Sequence, residues 1–224
     1  MNHYTTSLYT KYVEQMNDIG FQNYMKRELE FIRRIPNSKD RTFIDLGAGY
    51  GRVEKELSDQ AREVIAVELL DDMYEELNSR AKRLTNVKAV QADMTNLEKA
   101  LKDFVFNSPV FLILQNTLGV IEGDIPKFIT DIKAYAKTNN GEIIFSLFRQ
   151  EDFKDWGIHV YEKARPVVGE VDLDSSNVEQ GEIKSSTNYT SKWWTRQDVD
   201  NIKLDVEVKD EEVGLGYYLL RIKP

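Results

Sequence analysis

Cysteine is absent from the 224 residues, which excludes disulfides, zinc–thiolate and iron–sulfur centres, and thiol nucleophiles. Histidine is scarce, with only His3 and His159, so imidazole-based proton transfer or metal ligation has little to draw on. Long apolar runs are missing as well. The longest, around Val110–Leu114, is far too short to span a bilayer. Positive charge is in deficit: 30 Lys and Arg stand against 38 Asp and Glu, a formal net charge of -8. That balance removes most of the counterion-release drive toward a polyanion, so nucleic acid is disfavoured as a partner. Met1–Lys11 is polar and Tyr/Thr-rich, without the basic start and apolar stretch of a leader peptide. These absences predict a soluble cytoplasmic protein, a monomer or homodimer with no membrane contact and no metal site.

What is present suits an ordinary folded chain. A hydrophobic fraction of 41% and an aromatic fraction of 11% supply a continuous core. The length fits one α/β domain with a modest insertion. From Tyr4 to about Ile35, Met16, Ile19, Tyr24, Leu29 and Ile32 fall at helical spacing and predict one or two amphipathic helices. Ile35-Pro36-Asn37-Ser38 stops them. Short apolar runs at Thr42–Leu46, Val64–Glu68, Val87–Gln91, Val110–Gln115 and Glu142–Phe148 then alternate with helix-prone segments at Arg52–Asp59, Asp71–Leu84, Thr95–Leu101 and Pro126–Thr138. That rhythm predicts a parallel sheet covered on both faces, wound by right-handed crossovers.

After Phe148 the rhythm breaks. His159–Ala164, Val167–Val171, Gly181–Lys184 and Asn188–Trp193 read as short antiparallel strands. Thr195 with Asp198 three residues later predicts a capped helix. Lys203–Lys209 and Gly216–Ile222 predict a closing hairpin through Asp210–Gly214. The expected organisation is an N-terminal helical cap (1–40), a core (41–150), a β-rich insertion (151–194), and a last helix with a C-terminal hairpin (195–224).

The most informative segment is Asp45-Leu46-Gly47-Ala48-Gly49-Tyr50-Gly51, placed between a predicted strand and a predicted helix. A nucleotide-holding turn of this kind needs glycine where φ is positive and where the backbone approaches the ligand. The dinucleotide pattern Gly-x-Gly-x-x-Gly is not met, because Arg52 occupies its third glycine position. The Asp-x-Gly-x-Gly-x-Gly form instead resembles motif I of the class I S-adenosylmethionine (SAM)-dependent methyltransferases. Glu68 at the end of the second strand, Asp93 at the end of the third, and Gln115-Asn116-Thr117-Leu118-Gly119 after the fourth extend the resemblance.

The resemblance implies a doubly wound, mostly parallel seven-stranded α/β sheet that binds SAM. It places Gly47, Ala48 and Gly49 beneath the methionine moiety, with Asp45 supporting the turn and accepting from the ammonium. It gives Glu68 the ribose hydroxyls, Leu69 an adenine face, and Asp93 with the Met94 N–H the adenine edge. Gln115 borders the cofactor, and Asn116 is the candidate catalytic residue beside the methyl group. Read as residues alone, Asp45 is also compatible with a buried turn-shaping acid and Asp93 with a helix cap.

Asn116-Thr117-Leu118-Gly119 is similar to segments of small-molecule N-methyltransferases, which points to a small-molecule acceptor, an amine before others. His159 is a possible base or a surface residue. Arg149 is a possible carboxylate partner or a solvated strand end. Tyr4, Tyr9, Tyr12, Phe21, Tyr24, Trp156, Tyr161, Tyr189, Trp193 and Trp194 are candidates to enclose an ammonium, or to form small cores. A protein or peptide acceptor, a non-catalytic SAM-fold subunit and an oxidoreductase are the alternatives.

Overall fold

The computed structural model describes residues 13–14 and 16–224. His3, Tyr4, Tyr9 and Tyr12 lie outside the described residues. Helix α1 (Ile19–Arg33) opens the ordered path, with the Asp18 carboxylate accepting from the Phe21 N–H at 2.8 Å. It buries Phe21, Tyr24, Phe31 and Ile32. Ile19, expected on that face, is 76% exposed. The Ile35-Pro36 stop falls where expected.

The core follows as β1 (Thr42–Leu46), α2 (Glu54–Gln60), β2 (Glu63–Glu68), α3 (Asp71–Ala81), β3 (Val87–Gln91), α4 (Leu97–Leu101), β4 (Val110–Ile113), α5 (Ile125–Thr138) and β5 (Glu142–Phe148). The five strands pair in parallel, and β9 (Tyr217–Lys223) lies antiparallel between β5 and β8 (Glu207–Gly214). The sheet order is β3-β2-β1-β4-β5-β9-β8. Alternate residues along each strand serve opposite layers. Phe43 and Val64 join one apolar cluster with α1, whereas Ile44 and Ile65 join another with α5 and the last helix. The chain leaves β1 toward β2 and later returns on its other side as β4, so a crevice opens at their C-terminal ends. This opening holds the site.

The segment after β5 corrects part of the sequence reading. His159–Ala164 and the first residues of Val167–Val171, expected as strands, form α6 (Ile158–Val168), entered through a wider helical turn at Phe153–Gly157. Phe153, Trp156, Val160, Tyr161, Ala164 and Val168 recur at helical spacing and are buried. Gly169, at φ +82°, ends the helix. Strands do form at β6 (Glu182–Lys184) and β7 (Thr190–Lys192), a separate antiparallel pair. An aromatic floor ties this segment to the sheet: the Phe148 and Trp193 ring centroids lie 4.9 Å apart, and those of Phe153 and Trp193 lie 5.1 Å apart.

The last helix, α7 (Arg196–Ile202), carries the expected reciprocal Thr195–Asp198 capping box. The hairpin turn falls later than expected, at Leu215-Gly216, so the acidic run Asp210–Glu212 lies within β8. There Glu212 accepts from Arg27 and Arg34 of α1, and Glu211 from Arg196 and Lys203. A bulge at Val208/Asp210 interrupts this edge strand. No helix of the described residues is long and apolar enough to cross a membrane.

Candidate active site

The glycine turn leaves β1 with Gly47, Gly49 and Gly51 all at positive φ (+80°, +59° and +85°). This explains why glycine recurs at every second position. The Gly47 and Ala48 N–H groups both donate to the Val67 carbonyl at 2.9 Å, which pins the turn to β2. A Cβ at Gly47 would meet Thr117 Cγ2 at 2.5 Å, a packing reason for that glycine. A Cβ at Gly49 would meet nothing within 4 Å; it would enter open space above the turn. Gly49 therefore leaves room that no protein atom uses.

Glu68 is buried where β2 ends. Its Oε2 accepts from the Gly49 N–H at 2.8 Å, and its Oε1 accepts from the Leu69 and Leu70 N–H groups at 2.9 Å. One carboxylate thus fastens the glycine turn to the start of α3. Leu69 is 49% exposed beside it, an apolar surface at the cavity wall. Asp93 Oδ1 accepts from the Thr95 N–H and hydroxyl at 2.8 and 2.7 Å. It caps the turn after β3 while lining the cavity, and Met94 stands next to it.

These residues bound one end of a cavity of about 500 Å³, within the range of small-molecule and cofactor sites. Gly47, Gly49, Glu68, Leu69, Asp93, Met94, Gln115 and Asn116 all line it. Asp45 and Ala48 do not. They border a smaller space of about 40 Å³ beneath the turn, shared with Gly47, Gly49, Arg52 and Gln115.

Below that space lies a buried charge cluster that sequence reasoning missed. The side chain of Glu28, on α1, is fully buried; it pairs with Arg52 and accepts from the Gln115 N–H at 2.8 Å. Glu28 reads in sequence as part of a solvated helix face, because its partners are distant in the chain. Asp45 and Glu54 are both buried and hydrogen-bonded to each other. Burial, then the charge of Glu54 and that hydrogen bond, push the Asp45 carboxyl well above the usual carboxylate range. Burial also raises Glu54. The pair holds a proton.

Folded Asp45 keeps its proton to a higher pH than the unfolded chain does. The folded state therefore binds more protons, and stability falls as pH rises from the ordinary value of 3.8 through the raised folded value. Asp45→Asn should remove this decline, which approaches about 1.4 kcal/mol per pH unit at its steepest. Denaturant midpoints of both proteins across pH 4–8, without ligand, test it. Parallel curves would exclude a shared proton.

Gln115 and Asn116 follow β4 in left-handed backbone, at φ +48° and +57°. The Asn116 side chain is fully engaged. Its amide donates to Lys192 O at 3.0 Å and Ser191 Oγ at 3.3 Å, and its Oδ1 accepts from Trp194 Nε1 at 3.0 Å and the Phe148 N–H at 3.1 Å. Four bonds exhaust a primary amide. Asn116, expected as the catalytic residue, has its side chain built in as a clasp between β4, β5 and β7. Gly119 permits it, since a Cβ there would collide with the Lys192 carbonyl and the Asn116 amide.

The far end of the cavity is formed by Phe21, Phe148, Val160, Tyr161, Ala164, Val167, Val168 and Tyr189. Of the expected aromatic residues, Phe21, Tyr161 and Tyr189 reach it. Trp156, Trp193 and Trp194 instead pack beneath and donate to Asp18, Tyr161 and Asn116, and Tyr24 donates to Glu28. The wall contributed by α6 was hidden by its reading as strands. His159 does not line the cavity; it is 54% exposed and sits 3.5 Å from Asp18. Arg149 holds Asp152 through two bonds of 2.6 and 2.7 Å.

A strand-end crevice, a glycine turn with open space above it, and acids ending β2 and β3 fit an adenosyl cofactor. Residues 43–138 match the family described as "Methyltransferase domain". The chain carries a methyltransferase domain of the class I SAM-dependent family, and SAM is its cofactor. Ribosomal RNA small subunit methyltransferase A of Clostridium botulinum is 25% identical over 189 residues, 83% of this chain; the chain spans 60% of that relative's length. A protein of Pyrococcus horikoshii OT3 has the same fold, with a TM-score of 0.66 and 19% identity over 93% of this chain and 92% of its own. So does 1,6-didemethyltoxoflavin-N1-methyltransferase of Burkholderia thailandensis, solved with bound 1,6-didemethyltoxoflavin and S-adenosylhomocysteine (SAH). Its TM-score is 0.57 and its identity 14%, over 97% of this chain and 85% of its own.

Proposed function

We propose that the chain transfers the SAM methyl group to a small-molecule amine in the cytoplasm, with residues 151–194 as the substrate cover. The observation that carries this reading is the single cavity, with the glycine turn and Glu68 at one end and the α6 wall at the other. Glu68 would take the ribose hydroxyls, Leu69 an adenine face, Asp93 and the Met94 N–H the adenine edge. The turn at Gly47, Ala48 and Gly49, with Asp45 and Gln115, would hold the methionine end. SAM supplies a methyl group already activated on a sulfonium.

The protein's work is then to align the acceptor and exclude water. Asn116 acts as a positioning residue, holding β7 against the ends of β4 and β5. No His, Lys or Arg lines the cavity among the described residues, and burial keeps the Tyr161 phenol protonated. An amine entering neutral needs no base: its lone pair forms the new N–C bond, the S–C electron pair returns to sulfur, and the extra proton leaves to water.

Calorimetry should give binding of SAM and SAH and none of NADH. Label from methyl-tritiated SAM should then appear on low-molecular-weight amines. No SAM binding would end the reading. Label on protein alone would replace the small-molecule acceptor with a polypeptide.

A further inference from the structure

The far half of the cavity is selective by what it lacks. Its aromatic surfaces are Phe21, Phe148, Tyr161 and Tyr189, and its aliphatic wall is the α6 face of Val160, Ala164 and Val167. Every charged side chain among the described lining residues is an acid: Glu68 and Asp93 beside the cofactor end, and Glu122. The nearby cations are committed elsewhere. Arg52 pairs with Glu28, Arg149 with Asp152, Arg165 with Glu170, and Lys163 with the Asn17 carbonyl and Asp18.

We propose that this chamber is the acceptor site and that it takes an apolar aryl- or alkylamine bearing no carboxylate or phosphate. The inference rests on the cofactor reading above and narrows its acceptor.

The physical reasoning is charge complementarity in a dry space. An anionic substituent placed here gives up its hydration and meets aromatic faces and carboxylates, with no guanidinium or ammonium to repay it. An aryl or alkyl group loses nothing by entering and removes apolar wall from water. An amine suits the same lining in either protonation state. Neutral, it presents its lone pair; protonated, it is drawn to the ring faces and to the acidic mouth. The constraint excludes free amino acids and nucleotides as acceptors, and with them the glycine- and histidine-type substrates suggested by Asn116–Gly119. It also disfavours RNA, the target named for the clostridial relative.

Matched pairs that differ by one carboxylate make the test. Phenethylamine with phenylalanine, tryptamine with tryptophan, and isopentylamine with leucine would each be titrated into the SAH-saturated protein by calorimetry. The amine of at least one pair should bind about tenfold or more tightly than its amino acid, the range that pocket contacts ordinarily confer. Val167 is only partly buried on the chamber wall, so Val167→Phe fills space without burdening the core. It should weaken that amine about tenfold and leave SAH affinity unchanged.

Equal or tighter binding of the amino acids would overturn the proposal, as would a panel in which no amine binds. Competition by an oligoribonucleotide for the amine site would overturn it in favour of RNA. Absence of SAH binding is a different outcome, since it removes the cofactor reading itself.

Discussion

Glu68→Ala is expected to weaken SAH binding about 100-fold or more while the protein stays folded. Two charge-assisted hydrogen bonds to ribose hydroxyls, at about 1.5–3 kcal/mol each, account for that loss. A second cost adds to it. The same carboxylate joins the Gly49 N–H to the Leu69 and Leu70 N–H groups, so its removal frees the turn that must sit under the cofactor. The three N–H groups border the cavity, where water can replace the lost acceptor, and the penalty to folding is correspondingly modest. Calorimetry gives the affinity and thermal denaturation without ligand gives the fold. Glu68→Gln, which keeps an acceptor oxygen but no charge, should fall between. Affinity within about threefold of wild type, too small for even one such bond, would remove Glu68 from the cofactor site.

Asn116→Ala carries the largest expected loss of stability, about 3–5 kcal/mol. The variant strands the Trp194 indole N–H and the Phe148 N–H without an acceptor, and the Lys192 carbonyl without its donor. Each buried orphan costs about 1–3 kcal/mol. Because Trp193 and Trp194 are buried beside this clasp, loosening it also loosens the floor on which α6 rests. Urea denaturation without cofactor measures the effect. A residue acting on the methyl group through its side chain gives the opposite pattern: turnover lost and stability unchanged. That result would overturn the clasp.

The parts of the fold with one-dimensional signatures were legible in the sequence. β1, β3 and β5 occupy the expected residues, and β2 differs by one, because strands buried on both faces are near-continuous apolar runs. The glycine turn was readable because its backbone demands glycine at alternate positions. The acids ending β2 and β3 were readable from their strand positions. The helix α6 was not, although Phe153, Trp156, Val160, Tyr161, Ala164 and Val168 carry its period. Val160, Val167 and Val168 favour strand locally, Pro166 argues against a helix, and packing on the Trp193 floor overrode both. The Glu28–Arg52 and Asp45–Glu54 pairs were invisible for another reason: a charge in sequence looks solvated until its burial is known. Asn116 was placed correctly at the cavity, but the four bonds that occupy its side chain come from three separate segments.

Both margins of the sheet end in charge. On one side β3 exposes Lys88, paired to Glu63 across the strand gap. On the other, β8 is bulged at Val208/Asp210 and carries Glu207, Lys209, Asp210, Glu211 and Glu212 in near succession. An incoming strand would have to match that kinked register and lie beside a dense row of charges. Such a border keeps open backbone hydrogen-bonding groups from recruiting another chain. Two copies of this protein can therefore meet through helices or through the cavity rim, but not by extending one sheet into the next.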